Sequence, residues 1–294
     1  MILLVLAAAL LSGCGLGPGE DQGTASLVVT RDYGREVLLE KNDLEINEST
    51  TAMRLLDQEA DLETEYGGGF VQAVDGLSGG SEAGRRTDWF YSVNGIVAER
   101  GSAEFPTIDG DLVWWDHRDW TDAMDVGAVV GVYPAPFTTG YDNRAWPVVL
   151  DCLAQSRACD LVRVQLEGDG VELATANPEV DAIRVVVGTW SRLQPTPEGK
   201  RIAAGPDTSG VFAGFDGTSL TGLDVKGRNA RDFGPDAGLV AATRKGNQPP
   251  VWVITGGSDR GVEAAAAVLN PEDLRRRYAA VIFDGQVGSL PWGG

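Results

Sequence analysis

The chain has 294 residues, with 24 Lys+Arg against 43 Asp+Glu and a net charge of −19. A balance this acidic argues against nucleic acid, whose phosphates would repel it, and leaves no basic patch for a membrane surface. It reads first as the solvation of a secreted protein, and the length suits two domains or one large one.

Taken from the start, Val5-Leu6-Ala7-Ala8-Ala9-Leu10-Leu11 is an apolar run that ends in Ser12-Gly13-Cys14. It is too short to span a bilayer as a helix. The Leu-Ser-Gly-Cys ending resembles the lipobox of bacterial lipoproteins, although Met1-Ile2-Leu3-Leu4 lacks the usual positive charge before the run. The resemblance implies that residues 1–13 are a signal peptide, removed on export, and that Cys14 is lipidated on its sulfur and its new amino terminus. Several acyl chains make a stable anchor, so the expected location is the outer face of the bacterial cytoplasmic membrane. Residues 14–24, with several Gly, Pro18 and two acids, are expected to be a flexible tether.

Residues 25–121 read as short strands around one helix. Leu27-Val28-Val29-Thr30 and Glu36-Val37-Leu38-Leu39 flank Asp32-Tyr33-Gly34, a hairpin pattern. Asn47-Glu48-Ser49-Thr50 offers a helix cap before Ala52, Leu55 and Leu56, which share one helical face. Further strands are expected at residues 70–74, 88–93 and 111–115, with a loop at residues 79–84. Strands around one helix make a small α+β unit of the β-grasp kind.

Two segments carry the strongest signal: Asp88-Trp89-Phe90-Tyr91-Ser92-Val93-Asn94-Gly95 and Ile108-Asp109-Gly110-Asp111-Leu112-Val113-Trp114-Trp115. Their Asn-Gly and Asp-Gly dipeptides are turn formers. With the hairpin and helix before them, they resemble the carboxy-terminal β-domain of transcobalamin and intrinsic factor and its bacterial relatives. In those carriers the domain covers one face of a corrin together with a helical barrel, which this sequence does not resemble. The resemblance therefore implies an extracytoplasmic binding module, with a corrinoid as one ligand. The candidate ligand-binding residues are Phe90, Tyr91, Asn94, Trp114, Trp115 and His117. Because side chains alternate along a strand, Trp114 shares a face with Leu112 and Trp115 with Val113, so one tryptophan is expected in the core and the other outside. An outer aromatic could stack on a planar ligand or on the second domain, though packing is the commoner use of such residues. His117 is the only histidine, which removes histidine triads and multi-histidine metal sites. Among Asp116, Arg118 and Asp119 it reads as a solvated strand end, with ligation of a corrin cobalt as the alternative.

The boundary falls near Asp122, and residues 122–294 read as an α/β domain of no evident kin. A β-like run at residues 126–132 precedes a helix at residues 147–153. Strands follow at residues 161–166, 182–187, 211–215, 238–243 and 251–255, then a helix at residues 262–269 and a closing strand at residues 278–283. With Cys14 lipidated, Cys152 and Cys159 remain to form one disulfide in an oxidising compartment. In an unbroken helix they would lie about 10 Å apart, beyond disulfide reach, so the helix must end near Gln155-Ser156-Arg157. No histidine or third cysteine is near enough in sequence to make the pair a metal site. Thr255-Gly256-Gly257-Ser258-Asp259 reads as a tight turn whose Ser258 or Asp259 caps a helix, not as a nucleotide loop.

The expected fold is thus α+β, a small β-grasp-like domain followed by a mixed α/β domain. The expected function is capture of a small molecule for uptake, near the aromatic strands or between the domains. This requires no cofactor, and the partners would be the membrane and an uptake transporter. A structural or interaction protein of the cell envelope is the alternative, and an enzyme using carboxylates is the least favoured reading.

Overall fold

The computed structural model describes residues 20–177 and 179–293. Cys14, residues 1–13 and most of the expected tether lie outside the described residues. Residues 21–24, expected to belong to the tether, lie in the first strand. In chain order the first half contains β1 (Asp21–Arg31), β2 (Glu36–Asn47), α1 (Ala52–Asp57), β3 (Leu62–Glu65), β4 (Phe70–Val74), β5 (Leu77–Ser78), β6 (Gly80–Glu82), β7 (Arg85–Val93), β8 (Ile96–Val97) and β9 (Leu112–Asp119). The main sheet runs β2-β1-β9-β7-β6, with β8 pairing β7. β1 and β9 lie parallel at its centre, and their neighbours are antiparallel. A hairpin whose first strand is joined in parallel by a late strand, with a helix across the sheet, is the β-grasp arrangement.

The helix α1 starts at Ala52, and its cap is Thr51, one residue past the expected Asn47–Thr50 stretch; the Thr51 side chain accepts the Arg54 N–H. Ala52, Leu55 and Leu56 are fully buried and pack in one cluster with Tyr91, Val113 and Trp115. Gly80 to Glu82, expected in a loop, forms an edge strand against Arg85 to Thr87.

The second half contains α2 (Ala135–Thr138), β10 (Val148–Cys152), α3 (Arg157–Gly168), β11 (Ile183–Thr189), α4 (Trp190–Leu193), α5 (Pro197–Ala203), α6 (Pro206–Ser209), β12 (Ala213–Asp216), β13 (Ser219–Leu223), β14 (Asn229–Gly234), β15 (Gly238–Thr243), β16 (Val251–Gly256), α7 (Asp259–Ala267), α8 (Pro271–Leu274), β17 (Ala279–Phe283) and β18 (Gln286–Leu290). Its sheet runs β10-β11-β16-β15-β17-β18. The first three strands are parallel and the rest antiparallel. Buried residues of α3 and α7 pack on one face. The other face packs against α4, α5 and the small sheet β12-β13-β14.

Two elements are the reverse of the sequence expectation. Residues 148–152 form an edge strand paired with β11 rather than a helix. Residues 161–166 lie inside α3 rather than in a strand. Ala158, Cys159, Val162 and Leu166 are its buried residues, and Ser156 caps it by accepting the Cys159 N–H. Cys152 and Cys159 are disulfide-bonded with Cα atoms 5.9 Å apart. The link joins a strand end to the first turn of a helix, so the helix break envisaged between the two cysteines does not arise.

The apolar run at residues 126–132 is also not a regular strand. It is the seam between the halves: the Val129 N–H donates to the Gly95 carbonyl, and the Val130 N–H to the Tyr278 carbonyl. One apolar cluster crosses this seam, joining Val28, Tyr33 and Trp114 to Phe212, Tyr278 and Val281. Both tryptophans of β9 are consequently core residues, Trp114 at 3% and Trp115 at 2% exposure. The expectation that one would stay outside fails because the second half covers the face that a lone β-grasp sheet would leave bare.

Candidate functional site

The turn between β1 and β2 is Asp32-Tyr33-Gly34-Arg35, with Asp32 and Tyr33 at φ 56° and 62°. Left-handed backbone at two side-chain-bearing residues is costly unless something holds it, and Asp116 on β9 does so. Its carboxylate accepts the Tyr33 N–H at 3.0 Å and the Gly34 N–H at 3.1 Å. It also accepts the Thr30 hydroxyl at 2.5 Å and the Tyr278 hydroxyl at 2.9 Å. The Thr30 oxygen in turn accepts the Trp114 indole N–H at 2.8 Å. Burial pushes the Asp116 carboxyl above the ordinary carboxylate range, and the hydrogen bonds from Thr30, Gly34 and Tyr278 and the charge of Arg118 only partly offset this. Tyr33 and Tyr278 meet edge to face, with ring centres 5.0 Å apart.

This arrangement holds the two walls of a cleft. One wall is Gly34-Arg35; the other is the segment Arg275-Arg276-Arg277 that leads into Tyr278, together with Gly288, Ser289 and Trp292. The space between is about 540 Å³. The walls touch at Gly34, where a Cβ would fall 2.1 Å from the Arg276 carbonyl oxygen and φ is +79°, so the contact requires glycine.

Four arginines converge here in a chain of strongly negative net charge. Arg275 and Arg276 are both paired with Glu40 of β2, the Arg276 contact at 2.9 Å. Arg35 and Arg277 form no ion pair among the described residues, although the charges of Asp32 and Asp273 act on them. The Arg35 Nη2 donates to the Pro291 carbonyl, while its Nη1 is buried with no hydrogen-bond partner among the described residues. The Arg277 Nε donates to the Asp273 carbonyl at 2.7 Å, and its Nη1 to the Ser289 hydroxyl. Burial lowers the pKa of both groups, yet an arginine stays charged at any physiological pH. Half-buried cations whose hydrogen bonds go to neutral oxygens, with Asp32 near Arg35 and Asp273 near Arg277 only as unbonded charges, are an arrangement that an anion would complete.

A smaller space of about 300 Å³ beside Arg144 and Arg244 also holds cations, but Arg244 has Glu99 at 3.9 Å and Asp142 shares the lining. A space of about 500 Å³ beside Arg184 is net acidic, lined by Asp151, Asp181 and Glu198, and its one cation is already engaged, reaching Asp151 at 2.6 Å and Glu198 at 2.7 Å. The carboxyl ends of the parallel strands, where α/β sheets commonly bind ligands, leave about 20 Å³ near Gly188 and Asp259. Among the described residues no three His, Cys, Asp or Glu side chains are grouped to hold a metal ion.

The residues singled out from sequence are dispersed through the two cores. Phe90 lies beneath the Arg118 guanidinium at 3.9 Å. Tyr91 stacks on Trp115 with centres 5.0 Å apart. Asn94 is a fully buried clamp, donating to Asp111 at 2.8 Å and to the Gly140 carbonyl at 2.9 Å. His117 is not a solvated strand end, being 9% exposed with its ring 5.2 Å from that of Trp89. Its Nε2 faces the Ser78 carbonyl at 3.1 Å; a carbonyl only accepts, so that nitrogen carries the hydrogen. None of the six lines the cleft. The cleft arginines were missed, although three consecutive arginines in so acidic a chain were a signal in plain view.

Residues 49–118 match a family described as a domain of unknown function, DUF4430. Nothing among curated proteins matches the chain. Among solved structures, one from Ruminococcus gnavus, described as a putative metal binding protein, is similar with 18% identity and a TM-score of 0.25. The similarity covers 33% of this chain and 96% of that one.

Proposed function

We propose that this chain is a lipid-anchored extracytoplasmic protein that captures an anionic small molecule in the cleft between its two halves, for delivery to an uptake transporter. The observation that carries the reading is Arg35, whose Nη1 is buried without a partner beside a cavity large enough for a metabolite. Anchorage rests on the lipobox-like sequence ending at Cys14. The cleft offers cations and a hydroxyl already engaged by Arg277, which suits holding a charge rather than moving a proton. Corrinoid capture, which the resemblance to the cobalamin carriers implies, draws less support: its aromatic candidates are spent on packing, and the Nε2 of His117 is bonded to Ser78. An envelope interaction protein is the second reading, favoured by Val37 and Leu38, 39% and 42% exposed on the edge strand β2.

The test is native mass spectrometry of the full chain after exposure to a metabolite extract that includes corrinoids. A retained small mass, lost at high salt as screening predicts and lost in Arg277→Gln, is the expected result. A clean unliganded mass, repeated with purified corrinoids, would overturn capture in favour of the interaction protein.

A further inference from the structure

We infer that the cleft recognises a phosphoryl dianion carried by a small soluble phosphomonoester, a conclusion that rests on the capture reading above. Arg35 and Arg277 approach from opposite walls, tied down by Pro291 and by Asp273 and Ser289 respectively. A planar carboxylate is satisfied by one guanidinium fork, whereas a tetrahedral phosphoryl group takes donors from several directions at once. Two half-buried cations that form no ion pair among the described residues match two negative charges, while Glu40 already holds Arg275 and Arg276. The space of about 540 Å³ leaves room beyond the phosphoryl group for an organic substituent, with Trp292 as part of the wall.

Position selects the soluble source over a lipid headgroup. β1 has 11 residues and therefore spans about 35 Å at the rise of an extended strand. A tether enters at Asp21, and the arginine turn follows the opposite end. The cleft thus lies a strand's length from the end through which Cys14 would anchor the chain.

The probe is glycerol phosphate, titrated calorimetrically into the full chain in detergent, at about pH 5 and about pH 8, on either side of the second phosphate pKa near 6. The cleft arginines keep their charge across this range, so binding should be stronger at the higher pH, and a rise that glycerol sulfate does not share comes from the ligand rather than from titration of the protein. Glycerol sulfate, already fully ionised, should show no such rise. Arg35→Lys and Arg277→Lys keep the charge but lose the fork, and each should weaken binding by about tenfold or more. Arg157→Gln, at an exposed position on α3, should leave binding unchanged. The wild-type pH comparison decides the matter even if a variant fails to fold.

No binding of glycerol phosphate at the higher pH, or equal binding at both, overturns the phosphoryl assignment. Tighter binding to phosphatidate vesicles than to glycerol phosphate overturns the soluble source. If glycerol phosphate fails while the metabolite extract still yields a retained mass that Arg277→Gln abolishes, the ligand class is wrong and capture stands. If neither binds, both fail.

Discussion

The Tyr278 hydroxyl lies 2.9 Å from Asp116 Oδ2, although the two residues are 162 positions apart in the chain. That hydrogen bond joins the β-grasp sheet to the α/β sheet, and the same carboxylate fixes the β1–β2 turn through two backbone N–H groups. Tyr278→Phe removes one donor from a buried carboxyl group and should cost about 1–3 kcal/mol. Asp116→Ala strands several donors together and should cost more, on the order of 3–5 kcal/mol. Urea denaturation of both variants measures the difference, and equal losses would mean that the turn does not depend on Asp116.

Gly34→Ala puts a methyl group 2.1 Å from the Arg276 carbonyl at a φ of +79°. Relief requires the two walls to part, so the variant should lose about 1–3 kcal/mol of stability and bind cleft ligand more weakly. A thermal melt and a titration on the same sample check both. Unchanged affinity would place the ligand elsewhere.

His117 gives a pH dependence that can be read from one resonance, since the chain has a single histidine. Burial lowers its pKa below the ordinary 6.5, with the Ser78 carbonyl and nearby Asp116, Asp32 and Asp88 opposing this. The folded chain therefore holds that proton less tightly than the unfolded chain. The resulting stability is fully present above 6.5 and is lost as pH falls from there through the lower folded value. Proton NMR of the imidazole should give a midpoint below 6.5 in the folded chain. A midpoint at or above that value contradicts the burial seen here.

Cys152 and Cys159 close a short loop between β10 and α3. Replacing both by Ser should lower stability by about 2–3 kcal/mol through loop-closure entropy in the unfolded chain. Reductant should lower the melting temperature of the parent and leave the double variant unaffected.

Cys14→Ala should release the chain from membranes. Fractionation after expression in a bacterium that processes lipoproteins checks this, and continued membrane association of the variant would refute the anchor.

Local chemistry made much of the first half legible. The hairpin, α1 and the aromatic strands β7 and β9 each carry their pattern within a few residues. The exchange of β10 and α3 shows where that fails. Pro147 ahead of an apolar run read as a helix start, and Leu161-Val162-Arg163-Val164-Gln165-Leu166 alternates enough to imitate a strand. The deciding signal lay slightly upstream, in Ser156 as cap and in Ala158, Cys159, Val162 and Leu166 as one buried helical face. The burial of Trp114 could not be read from β9 alone, because the residues covering it, Phe212 and Tyr278 among them, come from the far end of the chain. For the same reason the aromatics drew attention as candidate ligand contacts, while Arg35 and Arg277 did not.

The contact between Arg35 and Pro291 spans 256 positions, and that between Glu40 and Arg276 spans 236. Contacts so remote close late, because the intervening chain must be ordered first. The cleft is then a record of completed synthesis: a chain cut short before Tyr278 could still pair β1 with β9, but its turn would lose one wall and its carboxylate one donor. Any molecule that binds the cleft stabilises only a chain that carries both walls, so occupancy would distinguish such copies from truncated ones.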